Sequence, residues 1–222
     1  ELNGELLYRH GEEKMRALKS ALYTTKVMDG EEELGEFETV RVRKGYADFL
    51  YSRRGQGFYS YDGERAYAES EVGAYTATIP MRVFEEYLTN FVFSVCGLNP
   101  DLLENFERDG NTVMYESHSA SLLSLYKLAE KPDFVPSSLK GSAKLDEEGV
   151  ILEENITLIG EDEEYTLETV LTAYRSESIA IAQPQNPEGF TEVSDIRLPK
   201  RLQAAIEILF NQKELEIGAV SS

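Results

Sequence analysis

Hydrophobic spacing changes several times along the chain, and each change marks a new element. From about residue 6 to residue 22, Leu7, Met15, Leu18 and Leu22 are separated by charged stretches such as Glu12-Glu13-Lys14. That pattern predicts an opening amphipathic helix with a polar outer face, its first turn weakened by Gly11. Residues 21–80 then carry short runs of Tyr, Phe, Val and Thr, punctuated by Asp29-Gly30, Lys44-Gly45, Gly55-Gln56-Gly57 and Asp62-Gly63. Such punctuation supplies the conformations that tight hairpin turns require, so this region predicts five or six antiparallel strands. In Val40-Arg41-Val42-Arg43 and Phe58-Tyr59-Ser60-Tyr61 the alternation matches a sheet with one solvated face.

Beyond Pro80, Phe84, Tyr87, Leu88, Phe91 and Val95 fall at helical spacing and predict a helix from Met81 to Cys96. Val83, Val92 and Phe93 lie off that stripe, so this helix is expected to be covered on more than one side. Asn99-Pro100-Asp101 predicts the start of a short helix through Phe106, ended by Asp109-Gly110. Thr112 to Glu116 reads as a strand, and Ser119 to Glu130 as a helix closed before Pro132. The clearest strand signal follows. Leu139, Gly141, Ala143 and Leu145 alternate with polar residues; after the turn at 146–149, Val150, Leu152, Ile156 and Leu158 continue on one face, and Tyr165, Leu167 and Leu171 repeat the scheme. A fourth run, Ser178 to Ala182, precedes Pro184. This meander has one dry face, for which the helices between residues 81 and 130 are the natural cover. Gln183 to Gly189 reads as a loop, and Pro199 to Gln212 as a last amphipathic helix bearing Leu202, Ala205, Ile206 and Leu209 on one side.

Composition narrows the possible partners. The chain of 222 residues is 41% hydrophobic, enough for one α+β domain spanning residues 1–222. With 22 Lys+Arg against 41 Asp+Glu, the net charge of −19 repels phosphate backbones and anionic headgroups, so nucleic acid is excluded as a partner. A single cysteine, Cys96, excludes an internal disulfide and a multi-thiolate metal site, and its apolar neighbours predict a buried thiol. His10 and His118 have no metal-ligand spacing, and neither a metal nor a cofactor is expected. The apolar run Phe91 to Leu98 is far shorter than the roughly 20 residues of a membrane-spanning helix. Glu1 stands where a natural chain would carry Met, so a removed signal or anchor segment upstream is an expectation of the sequence.

Candidate chemistry is sparse. The acidic pairs Glu85-Glu86, Glu147-Glu148 and Glu163-Glu164 sit side by side in sequence, whereas a two-carboxylate hydrolase needs its acids facing each other across a bond. Glu161-Asp162-Glu163-Glu164 lacks the spaced ligand order of a calcium loop. Ser117-His118-Ser119 has no nucleophile elbow around it and reads as a strand-to-helix junction capped by Ser119. No catalytic residue is assigned, and a non-enzymatic role is expected. What remains is apolar surplus: the stripe on residues 84–95, the Leu122, Leu123, Leu125 and Tyr126 set, and the dry sheet face. These either close into a solid core or leave a cleft for an acyl chain.

The order of these elements, with the segments Gly57-Phe-Tyr-Ser-Tyr-Asp-Gly63 and Gly141-Ser-Ala-Lys-Leu-Asp-Glu-Glu-Gly149, resembles the lipoprotein-carrier superfamily, in particular its LolA-like and LppX/LprG-like members. The resemblance extends from about Met15 to Val193; the helix at Pro199 to Gln212 departs from the pattern. It implies a curved antiparallel sheet, a half-barrel, whose concave apolar face is partly filled by helices and holds lipid. It also implies an exported, extracytoplasmic protein of the bacterial cell envelope, tethered by a lipid anchor upstream. The expected ligand is a lipid or other hydrophobic molecule. Its expected lining is Phe84, Leu88, Phe91, Leu122 and Tyr126, with Val150, Leu152 and Ile156 opposite. The rival expectation is a ligand-free interaction or sensory domain that contacts another envelope protein through its Tyr-bearing hairpins.

Overall fold

In the computed structural model the described residues are 2–43, 47–53, 57–70, 73–83, 97–124, 126, 128, 130–174, 179, 184–197, 216–218 and 220. Helix α1 (Gly4–Ala17) is opened by Asn3, whose side chain accepts the Leu6 N–H at 2.9 Å. Six strands follow: β1 (Ser20–Asp29), β2 (Glu32–Arg43), β3 (Ala47–Arg53), β4 (Gly57–Tyr61), β5 (Arg65–Ser70) and β6 (Gly73–Thr78). The second group is β7 (Glu104–Asp109), β8 (Thr112–Ser117), the one-turn helix α2 (Ala120–Leu123), β9 (Ser138–Leu145), β10 (Ile151–Ile159) and β11 (Glu164–Tyr174). Short strands β12 (Thr191–Glu192), β13 (Ile196–Arg197) and β14 (Glu216–Ile217) close the chain.

β1 to β12 form one sheet of twelve strands in the order β12-β6-β5-β4-β3-β2-β1-β11-β10-β9-β8-β7. Every pairing in it is antiparallel except β12 on β6. The two halves of the chain meet where β1 pairs with β11, so the first and last long strands are neighbours. The architecture is α+β: a curved antiparallel sheet, a half-barrel, with helical cover on its concave face. α1 packs against β7, β8 and β10.

The strand predictions hold where turn chemistry and alternation agree. Six strands lie between Ser20 and Thr78, and the β1–β2 turn places Gly30 at φ +58. Leu139, Gly141, Ala143 and Leu145 are all buried while Lys140 and Lys144 are exposed. Tyr165, Leu167 and Leu171 point inward in the same way. The polar exception on that face, Thr169, is matched by Thr25 on β1, hydroxyl to hydroxyl at 3.0 Å.

Three helix predictions need correction. The opening helix ends at Ala17, so Leu22 belongs to β1. Its inward stripe is Gly4, Tyr8, Gly11, Glu12 and Met15. Gly11 lies at mid-helix, where a Cβ would stand 2.7 Å from Leu145 Cδ2 and 3.1 Å from Ile151 Cγ1; the missing side chain lets the helix sit close on the sheet. The helix expected from Asn99 to Phe106 is a 3-10 turn, Pro100–Leu102, followed by β7, because pairing with β8 claims residues 104–109. The helix expected from Ser119 to Glu130 stops at Leu123. Leu122, Leu123, Tyr126 and Leu128 are all buried, and one helical stripe cannot bury four residues at that spacing; an irregular chain does so. Residues 84–96 of the helix predicted from Met81 to Cys96, the helix predicted over 199–212, the buried thiol of Cys96, and most of the run from Ser178 to Ala182 lie outside the described residues. No helix among the described residues is long and apolar enough to cross a membrane.

The close seat of α1 generates a stability prediction. Gly11→Val forces branched carbons into Leu145 and Ile151 and lowers the free energy of unfolding by about 1–3 kcal/mol, as overpacking of a filled contact does. Urea denaturation followed by circular dichroism measures it, and an unchanged midpoint would contradict the packing described.

Candidate functional site

On β10 the side chains that follow the dry face are not all apolar. Ile151 stands opposite Leu145 and Glu153 opposite Lys144, so Leu152 is the extra residue of a β-bulge. Past the bulge, Glu154, Ile156 and Leu158 all turn inward and are all buried, Glu154 completely. A carboxyl group therefore sits inside the concave face, where removal from water costs several kcal/mol unless hydrogen bonds replace the lost hydration.

Those hydrogen bonds come from three other segments. Tyr8 of α1 donates its hydroxyl to Glu154 Oε1 at 2.6 Å, and Tyr115 of β8 donates to the same oxygen at 2.5 Å. The Gly97 N–H donates to Oε2 at 2.6 Å, and the neighbouring Leu98 N–H donates to the Tyr8 hydroxyl at 2.8 Å. Gly97 holds φ +82, a conformation open to glycine at little cost, and its backbone runs against Glu12 of α1.

Each donor is placed by its own element. Tyr115 stands opposite Gly141 on β9, and Gly141 stands opposite Ile156 on β10. A Cβ on Gly141 would lie 2.2 Å from Tyr115 Cζ, so the phenol ring occupies the space of the missing side chain and crosses β9 to reach β10. Tyr8 is held by rings: its centroid is 5.0 Å from that of Tyr115 and 5.9 Å from that of Phe106. Phe106 follows a register shift in β7 at which Asn105 takes φ 55 and donates its side-chain amide to Glu116 at 2.9 Å. That bulge sends Asn105 toward solvent and Phe106 to the rings.

Burial pushes the Glu154 carboxyl above the usual carboxylate range, and the hydrogen bonds from Tyr115, Tyr8 and Gly97 only partly oppose that shift. Tyr8 and Tyr115 are both raised well above an ordinary phenol, first by burial and then by the nearby Glu154. Tyr126 is raised by the same two causes, and its hydroxyl is buried without a hydrogen-bond partner. In register, Glu154 stands opposite Thr169 and Thr169 opposite Thr25, so a row of polar side chains crosses the dry face from β10 to β1. Chemically, this is an ordering arrangement: its hydrogen bonds tie α1, β8, β10 and Gly97-Leu98 to one another.

The expected lining residues are distributed as follows. Leu122, Tyr126, Val150 and Ile156 are buried members of one core cluster, with Leu152 half-buried against it beside the bulge. Phe84, Leu88 and Phe91 lie outside the described residues. Ser119 caps α2 through the Leu122 N–H at 3.4 Å, as its sequence position predicts. Ser117 donates its hydroxyl to the Leu102 carbonyl at 2.6 Å, and His118 faces Glu104 at 2.6 Å in an exposed pair. Sequence reasoning missed Glu154, Tyr8 and Tyr115. A signal existed: Glu154 shares its parity with Val150, Leu152, Ile156 and Leu158, an acid on an otherwise apolar face.

Two outcomes test the hub. Glu154→Leu leaves three buried donors unpaired and is expected to cost about 3–5 kcal/mol of stability. Tyr115→Phe is expected to cost about 1–3 kcal/mol. Gly141→Ala displaces the same ring, so its cost is smaller in the Tyr115→Phe background than in the wild type. A double-mutant cycle by denaturant unfolding reads that coupling, and strict additivity would refute the ring placement.

No protein-family profile matches this sequence, and no curated protein matches it. Solved structures do match in fold. The crystal structure of the Mycobacterium tuberculosis lipoprotein LppX aligns with a TM-score of 0.50 at 8% identity, covering 79% of this chain and 97% of LppX. LprF from Mycobacterium bovis aligns at 7% identity over 82% of this chain and 96% of its own, with a TM-score of 0.39. A LolA superfamily protein from Nitrosomonas europaea aligns at 6% identity over 81% and 98%, with a TM-score of 0.28. The LppX-like fold inferred from element order is the fold of this chain.

Proposed function

We propose that this protein holds a lipid or other hydrophobic molecule, without covalent attachment, between its concave sheet face and the segments that cover it. The observation that carries this reading is the uneven depth of that face. Over β7, β8 and β10 the face is filled by α1 and the Tyr8, Phe106 and Tyr115 rings. At the far end, on β5 and β6, the buried inward positions include Ala66 and Ala77, in one row with Tyr61, and Ala68 in the next row between Tyr59 and Tyr75. Alanine rises little above the backbone, so this end has a low floor. Sheet spacing of about 4.8 Å per strand makes the trough from β1 to β6 roughly 24 Å wide, the scale of an acyl chain. Burying such a chain yields about 0.8 kcal/mol per methylene.

We assign the lining to Phe84, Leu88 and Phe91 from the segment that follows Pro80; Leu122, Tyr126, Val150, Leu152 and Ile156 lie in or against the packed core cluster. The fold supports an extracytoplasmic place in a bacterial envelope, since the matched LppX is a lipoprotein. A lipid anchor upstream of Glu1 and a contact with another envelope protein belong to the same proposal. In this reading the chain is a binding protein and not an enzyme.

The full chain, purified from a bacterial envelope, is expected to release lipid on organic extraction and to bind a fluorescent fatty acid. Ala68→Phe then fills the trough: probe affinity falls at least about tenfold while stability holds, because the ring enters space the ligand used. If the wild type yields no lipid and binds no probe, and Ala68→Phe loses about 1–3 kcal/mol, the interior is a packed core and the proposal fails.

A further inference from the structure

We infer that Glu154 is a proton-operated latch: as a neutral carboxylic acid it holds α1, β8 and the Gly97-Leu98 segment together over the concave face, and on ionising it lets Gly97-Leu98 move away. The groups that face it define the device. From α1 comes the Tyr8 phenol, with Glu12 one turn on, ion-paired to Arg16 at 2.6 Å. β8 contributes the Tyr115 phenol, and the segment after α2 contributes the Tyr126 phenol. The flanking strands β9 and β11 place the uncharged Ala143 and Thr169 opposite it. Among the described residues no Lys, Arg or His acts on the carboxyl. Among the described residues an ionised Glu154 is therefore a buried charge without a counter-ion, beside groups that can hydrogen-bond it but cannot neutralise it.

The neutral acid fits the same donors. Oε1 accepts from both phenols and Oε2 accepts the Gly97 N–H, while the buried Tyr126 hydroxyl, without a hydrogen-bond partner among the described residues, feels the carboxyl electrostatically. When that proton leaves, water must reach the carboxylate, and the easiest path is the irregular backbone. α1 is held by its helical hydrogen bonds and β8 by two neighbouring strands, whereas Gly97 and Leu98 belong to neither helix nor strand. Their amides are the ones tied to Glu154 and Tyr8. The latch stands on the hub geometry and is independent of the function proposed above.

The sign follows from linkage. The folded-state value of Glu154 is raised, so the closed arrangement binds more protons than the open one; its stabilisation is full in acid and is lost as pH rises through that folded-state value. Hydrogen exchange of the Gly97 and Leu98 amides in the full chain, corrected for the intrinsic rate at each pH, reads the opening. Above the midpoint their protection is expected to fall by up to about tenfold per pH unit. The fall coincides with loss of the infrared carbonyl band of a protonated carboxylic acid, while amides in β10 and β11 keep their protection. In Glu154→Gln the pH dependence at Gly97 and Leu98 disappears. Equal pH profiles in wild type and Glu154→Gln overturn the latch. If that variant does not fold, the wild type alone decides: an infrared band and an amide protection that change at different pH also overturn it. Probe binding at the same pH values is scored separately, so a protein that binds no lipid can still pass or fail this test.

Discussion

A single buried carboxyl group organises the covered half of this protein. Glu154 has no cation beside it among the described residues, and its hydrogen bonds come from a helix, a strand two places away and an irregular segment. Any rearrangement that moves one of these leaves a donor or an acceptor unpaired in apolar surroundings, which costs about 1–3 kcal/mol per group. Apolar contacts alone discriminate less sharply, because greasy surfaces slide past one another at small cost. The network thus selects one seat for α1 and one path for residues 97–98.

The surrounding packing exists to make that convergence possible. Glycine is decisive at two positions: Gly141 gives up its side-chain space to the Tyr115 ring, and Gly11 lets α1 descend onto Leu145 and Ile151. Two bulges complete the arrangement. One, in β7, turns Phe106 to the rings beside Tyr8; the other, at Leu152, lets Ile151 and Glu154 both face inward despite their opposite parity. None of these residues contributes much alone. Together they convert a sheet that would accept any apolar cover into one that accepts a specific cover.

The same fold divides its concave face into unlike parts. Rings and a polar row occupy the β7–β11 side and reach β1 through Thr169 and Thr25. Alanines floor β5 and β6. Bulky and small side chains are thus assigned to different strands.

Much of this was legible in the chain itself. Alternation at Leu139, Gly141, Ala143 and Leu145 and glycines at the turns determined the strands, because side-chain parity and turn conformations are local properties. The order of elements was enough to indicate the curved-sheet fold. Helix lengths were not, since strand pairing claimed residues 104–109 and core burial claimed Tyr126 and Leu128, both through contacts distant in sequence. Nor was the hub: Tyr8, Gly97, Tyr115 and Glu154 lie as much as 146 residues apart, and only closure of the sheet brings them within hydrogen-bonding distance. Parity alone flags Glu154 as a carboxyl group on a dry face, but which donors meet it is decided by tertiary structure.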